Sequence, residues 1–217
     1  MKRLFSSLAL FVAVLAGCKS HQPVVSCNVD PDVIFGQHYT AADFQIWEMV
    51  PNSEVDQMIL GSKLPDCIFY SSNDMFDNIL VKECDTALVA AVLRPLCRQR
   101  GWHLLWGSWK YDDEPTEYQA LYFHIKPLVD GTSVNDARVE TVRDKPSVFF
   151  HFDEKYHADW KRITRDNIGF RLSFKLGDRV LMTPMVNGEI TGGAAAINGD
   201  FTEEECCALV TILLRKN

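Results

Sequence analysis

The chain has 217 residues, of which 47% are apolar and 24% are charged, and its formal net charge is -7. These fractions are typical of one large or two small globular domains and exclude a disordered stalk. The acidic balance excludes a nucleic-acid partner and electrostatic adhesion to anionic lipid, because both require a basic surface.

The first predicted element is a signal peptide at the amino terminus. Two basic residues precede the apolar run 4–14, and small residues lead from it to Cys18. The run is shorter than the roughly 20 residues of a membrane-spanning helix, and its layout is that of a bacterial lipoprotein signal. We expect cleavage of residues 1–17, a lipid on Cys18 as the membrane anchor, and a tether over 18–32. The lysine and serine that follow Cys18, in place of aspartate, favour the outer membrane.

Residues 33–115 are predicted to form an N-terminal α+β region of unknown type. Apolar residues at helical spacing indicate a helix that Asp85 or Thr86 caps and that ends at Gly101. A strand over 102–106 follows, and we expect its two tryptophans to share a face, which suits the core or an exposed aromatic binding surface, with the core favoured.

Residues 116–217 show the clearest patterns. Alternation predicts two strands, helical spacing then predicts a helix, Gly177-Asp178 indicates a two-residue hairpin, and Thr202 begins a capping box. The predicted elements are strands around 121–125 and 148–152, a helix over 156–168, strands over 170–176 and 179–186, and a helix to Arg215 that buries Cys206, Leu209, Ile212 and Leu213. The order β-β-α-β-β-α predicts an α+β fold, an antiparallel sheet with helices packed on one face.

Six cysteines remain after Cys18. An exported protein permits disulfides, but the spacing is irregular. We expect at most one bridge, among Cys67, Cys84 and Cys97, and expect the other cysteines to be small buried apolar residues.

No metal, cofactor or catalytic set is predicted. The six histidines lack the spacing of a zinc-binding motif. A thiol nucleophile would require Cys206 or Cys207 to meet a histidine that is distant in sequence. The apolar neighbours of both cysteines in the predicted helix argue against the lowered thiol pKa that such a nucleophile needs.

The C-terminal part contains a series of short motifs in a characteristic order. Several glycines, one proline and an F-T-x-E-E element belong to it, and a G-x-x-V-x-x-A segment precedes it. The segments are 130–137, Thr164–Gly169, Gly177–Val180, Pro184, Ile190–Gly193 and Ile197–Glu204. This pattern resembles the head subdomain of the first large periplasmic domain of SecD, from the SecD/SecDF protein-export family, over about residues 128–214.

The resemblance implies the head fold and contact with extended or unfolded polypeptide. It does not imply proton-driven translocation, because the transmembrane bundle of SecD has no counterpart in this sequence. We therefore expect a non-enzymatic envelope lipoprotein that binds polypeptide or a protein partner. The candidate binding loop comprises Ile190, Thr191, Gly192 and Gly193. A purely structural assembly component and a periplasmic hydrolase are the alternatives.

Overall fold

The computed structural model of the chain describes residues 27–73, 76–111 and 114–215. The predicted signal peptide, the predicted lipidation site Cys18 and residues 18–26 of the predicted tether lie outside the described residues. Within the described ranges, no helix has the length and apolar character needed to cross a membrane.

The described chain combines five helices with ten strands, and the strands pair antiparallel. The helices are α1 (Pro31–Phe35), α2 (Asn52–Gly61), α3 (Thr86–Arg100), α4 (His157–Asp166) and α5 (Glu203–Leu214). The strands are β1 (Phe44–Met49), β2 (Ile68–Asn73), β3 (Phe76–Lys82), β4 (His103–Tyr111), β5 (Glu114–Asp130), β6 (Val134–Val142), β7 (Lys145–Phe152), β8 (Leu172–Leu176), β9 (Arg179–Met182) and β10 (Ala194–Ile197). The predicted α+β fold class is confirmed. The predicted order β-β-α-β-β-α for the C-terminal part is wrong, because the strands β6 and β10 were not expected and the strands fall into two sheets.

Two compact units divide the described chain. Unit 1 comprises residues 49–126, and unit 2 comprises residues 27–48 and 127–215. The predicted boundary between residues 115 and 116 differs from this division, because it falls inside β5, which pairs with β4 on both sides of that point. Residues 27–48 belong to the same unit as the C-terminal part. No local sequence pattern indicated this grouping.

Unit 1 contains an antiparallel sheet in the order β2-β3-β5-β4. Helix α3 buries Val89, Leu93 and Cys97 in the core of this unit, and the two tryptophans of the predicted strand 102–106 also pack there, as expected. The helix ends where Gly101 adopts a φ of 70°.

The start of α3 differs from the prediction. The Asp85 side chain makes no capping hydrogen bond, and the Thr86 hydroxyl donates backward to the Glu83 carbonyl at 2.8 Å. Asp85 thus occupies the predicted N-cap position without capping the helix through its side chain, and a short 3-10 turn over Glu83–Asp85 precedes the helix.

Unit 2 is built around α5. Strands β10, β7 and β6 pair in that order, and β1, β8 and β9 pair in a second antiparallel set. Every residue from Cys206 to Val210 is buried, so α5 is enclosed on all sides. It packs against β6, β7 and α1. The predicted capping box is confirmed, with Glu205 N donating to Thr202 Oγ1 at 3.1 Å and Thr202 N donating to Glu205 Oε2 at 3.0 Å.

The hairpin around Gly177-Asp178 is confirmed by the pairing of Leu176 with Arg179. The second predicted strand was too long, because β9 ends at Met182 and only isolated bridges continue to Val186. Strand β10 was not predicted, because its sequence is three alanines and an isoleucine, which has low β-propensity.

The disulfide differs from the prediction. Cys27 is bonded to Cys207, with their Cα atoms 4.9 Å apart, whereas Cys67, Cys84 and Cys97 are free thiols. The expected bridge among those three is therefore wrong. The partners are 180 residues apart in sequence, and they meet because the segment before α1 packs against the core around α5. Residues 27–32, expected to be tether, are thus part of unit 2.

Candidate functional site

The predicted binding loop 190–193 is fastened to helix α4 at both ends. Ile190 N donates to the Thr164 hydroxyl at 2.9 Å, and Trp160 Nε1 donates to the Ala194 carbonyl at 3.1 Å. Ile190 also packs against the core of unit 2. The loop therefore has a fixed conformation, set by side chains one helical turn apart on α4.

The two glycines of this loop have different environments. Gly193 is buried, has a φ of 66°, and a Cβ there would collide with the His157 ring. Its carbonyl accepts a hydrogen bond from Phe152 N at 2.9 Å. Gly192 is exposed, and a Cβ there would meet no atom within 4 Å. Gly193 is thus required by the fold, while Thr191 and Gly192 form the accessible part of the loop.

A cleft of about 270 Å³ lies beside α4, within unit 2. Its floor consists of nearly inaccessible apolar side chains, and its rim is polar. The lining residues are Leu128, Val129, Asp130, Thr132, Ser133, Phe152, Tyr156, Asp159, Trp160, Arg162 and Ile163. Phe152 and Trp160 also anchor the predicted loop, one through its backbone and the other through its indole. The cleft and the loop therefore share two of the same residues.

The charged groups at the rim have partners. Arg162 Nη2 donates to Asp159 Oδ1 at 2.8 Å, and this hydrogen bond raises the pKa of the Arg162 guanidinium above its usual range. Asp130 Oδ1 accepts from Thr132 N at 2.9 Å. Arg162 and Asp159 compensate each other, and the Asp130 carboxylate keeps its charge at the rim, so the apolar part of the cleft suits a neutral apolar side chain whose main chain finds polar groups at the rim.

The geometry disfavours a thiol nucleophile. Burial raises the pKa of the Cys206 thiol to about 11, which is the opposite of what nucleophilic catalysis requires. Cys207 has no free thiol, because it forms the disulfide with Cys27. Among the residues that the structure describes, no group of three or more His, Cys, Asp or Glu side chains is arranged to hold a metal ion.

The motif residues that carry the resemblance have structural roles. A Cβ on Gly131 would collide with the Ala41 carbonyl oxygen, and Val134 and Ala137 are buried in the core of unit 2. The spacing of the G-x-x-V-x-x-A segment therefore follows from packing at the start of β6.

Sequence reasoning missed the cleft itself. Helical spacing predicts that Tyr156, Trp160 and Ile163 share one face of a helix. This spacing does not distinguish a face that packs in the core from one that lines a cleft.

Residues 108–217, which are 110 of the 217 residues, match the family model of the SecDF P1 head subdomain. The protein translocase subunit SecD of Rickettsia typhi is 32% identical over 102 residues, 45% of this chain and 20% of the relative. The subunit SecDF of Thermus thermophilus is 35% identical over 88 residues, 40% of this chain and 12% of the relative. The chain spans about a fifth of the length of most of the curated relatives it matches.

Solved SecDF structures also align with the chain. The structure of SecDF described as a membrane component that enhances protein export aligns over 78% of this chain and 92% of that chain, with a TM-score of 0.40 and 19% identity. SecDF in its super-membrane-facing form aligns over 78% of this chain and 28% of that chain, with a TM-score of 0.41 and 19% identity. Because the family model covers half of the sequence, the chain belongs to the family of the SecDF P1 head subdomain.

Proposed function

We propose that this chain is a non-enzymatic lipoprotein of the cell envelope, anchored through Cys18, whose unit 2 binds extended polypeptide during export or envelope assembly. The family match and the relatives named protein translocase subunits support a role in export. The layout of residues 1–17 and Cys18 supports the lipid anchor, and the residues after Cys18 favour the outer membrane.

The observation that carries the binding role is the cleft beside α4. Phe152 and Trp160 are nearly inaccessible at its floor, and Tyr156 is half-buried at its wall. The accessible aromatic surface of the cleft is therefore that of Tyr156, whose ring offers apolar contact area with little side-chain entropy to lose. A polypeptide in extended form would place one apolar side chain in the cleft, with little dependence on its sequence.

The edge of the sheet is a weaker candidate than the cleft. Phe152 N donates to the Gly193 carbonyl, so Ala194 and Ala196 are the residues of β10 whose main chain points away from β7. The Ala194 carbonyl already accepts the Trp160 indole. Strand addition along β10 would therefore have too short a ladder to bind a peptide by main-chain hydrogen bonds alone.

A matched pair of substitutions tests the proposal. The probe is a reduced, carboxymethylated polypeptide that cannot refold, titrated against the full-length lipidated protein in detergent. Tyr156→Ala removes a ring from the cleft wall, and Phe170→Ala removes an exposed ring of unit 2 outside the cleft. Loss of one aromatic contact corresponds to about 1 kcal/mol, or about a fivefold weaker Kd. An unchanged Kd for Tyr156→Ala, or no binding by the unsubstituted protein, contradicts the proposal.

A structural assembly role is the second candidate, and one observation favours it. Ile168 and Phe170 are large apolar side chains that are both about half exposed in unit 2, and such neighbours are typical of protein contact sites. Under this alternative, Phe170→Ala weakens the capture of a partner from native membranes, while Tyr156→Ala leaves that capture unchanged.

A further inference from the structure

Resting on the proposed acylation of Cys18, we infer that the Cys27–Cys207 disulfide holds unit 2 close to the bilayer, with its α1–α5 face against the lipid headgroups. The disulfide fixes the end of the tether on α5, because Cys207 belongs to that helix. The body of the protein thus begins at residue 27 and not at residue 33.

The position of the disulfide limits the length of the tether. Nine Cα–Cα steps separate Cys18 from Cys27, so the fully extended tether reaches about 30 Å. A tether through residue 32 would reach about 45 Å. A compact unit of roughly 110 residues has a radius of gyration of about 13 Å and a width of about 35 Å. Because the tether is no longer than the unit is wide, Cys27 cannot lie on the side of unit 2 opposite the membrane, which favours orientations that bring its face towards the bilayer.

A second contact holds the same segment from its other side. Arg215 Nη1, directly after α5, donates to Asp32 Oδ1 and to the Tyr39 carbonyl, each at 3.0 Å. Asp32 Oδ2 also lies 2.7 Å from His38 Nδ1, and the hydrogen bonds from His38 and Arg215 lower the pKa of the Asp32 carboxyl. The segment 27–39 is therefore fixed at both ends, and α1 cannot swing away from α5.

The face so held presents apolar side chains to the membrane. Val33 on α1 is 76% exposed and Leu214 at the end of α5 is 41% exposed. They are the sequence neighbours of Asp32 and Arg215, whose ion pair joins the two segments, so both lie on the same part of the surface. Contact with the headgroup region would remove them from water. Since the chain is acidic, charge attraction would not hold this face to the lipid, so the short tether holds it there and the two apolar side chains make the contact.

Energy transfer measures this arrangement directly. The full-length protein is reconstituted into phosphatidylcholine vesicles that carry a headgroup acceptor dye, with a coumarin amino acid at position 33 or at position 170. We expect higher transfer from position 33 than from 170. Insertion of twenty Gly and Ser residues after Ser20 leaves the fold untouched, and we expect it to cause a loss of transfer from position 33.

The outcomes separate this inference from the proposal on which it rests. Equal transfer from positions 33 and 170, or transfer from position 33 that the insertion leaves unchanged, overturns the inference while the lipid anchor stands. Mass spectrometry that finds no diacylglyceryl group on Cys18 overturns the lipid anchor and the inference with it.

Discussion

Replacing Gly193 by alanine is expected to destabilise unit 2, whereas the same change at Gly192 is not. Gly193 has a φ of 66°, and its added Cβ would collide with the His157 ring. The left-handed conformation costs an L-residue about 1–2 kcal/mol, and displacement of the ring adds roughly 1–3 kcal/mol. Together these predict a loss of about 2–5 kcal/mol in the free energy of unfolding, or about 6–15 °C in Tm for a chain of this size.

The matched change at Gly192 supplies the control. This glycine has no positive φ and open space where a Cβ would be. Alanine there reduces the freedom of the unfolded chain and is expected to leave stability unchanged or raise it by about 0.4–1 kcal/mol. Urea unfolding followed by circular dichroism compares the two variants. Equal stability of Gly193→Ala and Gly192→Ala would refute the reasoning.

A double-substitution cycle separates the two causes. In the His157→Ala background the ring is absent, so Gly193→Ala loses only the free energy that its left-handed backbone conformation costs. His157→Ala alone loses the hydrogen bond between Nε2 and the Phe152 carbonyl, 3.0 Å long, at about 1 kcal/mol. In this background, we expect Gly193→Ala to lower the free energy of unfolding by roughly 1–3 kcal/mol less, because no ring has to be displaced. An unchanged cost would show that the ring does not constrain the loop.

Three further predictions concern stability and reactivity. Asp144 has a φ of 64° in the turn between β6 and β7, so Asp144→Gly should stabilise the protein by roughly 0.5–1 kcal/mol in a urea melt. Replacing Cys27 and Cys207 together by serine should cost about 2–5 kcal/mol by the same measurement. Iodoacetamide should label the exposed Cys84 in the folded protein, and should label Cys206 only after unfolding, because that thiol is buried and its pKa is raised to about 11.

Each of these has a direct control or contrary result. Cys84→Ser, which changes an exposed free thiol, should leave unfolding unchanged, and a loss equal to that of the double serine variant would remove the disulfide argument. Stability that falls on Asp144→Gly would contradict the assigned turn strain. Rapid labelling of Cys206 in the folded state would contradict its burial.

Local features of the fold were predictable from sequence. The Thr202 capping box, the hairpin at Gly177 and the burial of Leu209 each depend on residues within a few positions of one another. Periodicity and turn chemistry report such local interactions. The same reasoning predicted the helix that carries Trp160, although not the place of that side chain in a cleft.

Features that depend on distant parts of the chain were not predictable. The pairing of Cys27 with Cys207 spans 180 residues, and nothing in the local sequence of either cysteine indicates its partner. Strand β10 is set by its pairing with β7 rather than by its alanines. The cleft joins the end of β5 to α4, and a single amphipathic pattern does not report which neighbour an apolar face meets.

Photo-crosslinking from the cleft tests the proposed polypeptide site most directly. The full-length protein carries p-benzoylphenylalanine at position 156, which keeps an aromatic ring at the cleft wall, or at the exposed position 170. On irradiation with the carboxymethylated polypeptide, we predict a covalent adduct from position 156 and none from position 170. Adducts from position 170 alone, or from neither position, would contradict binding in the cleft.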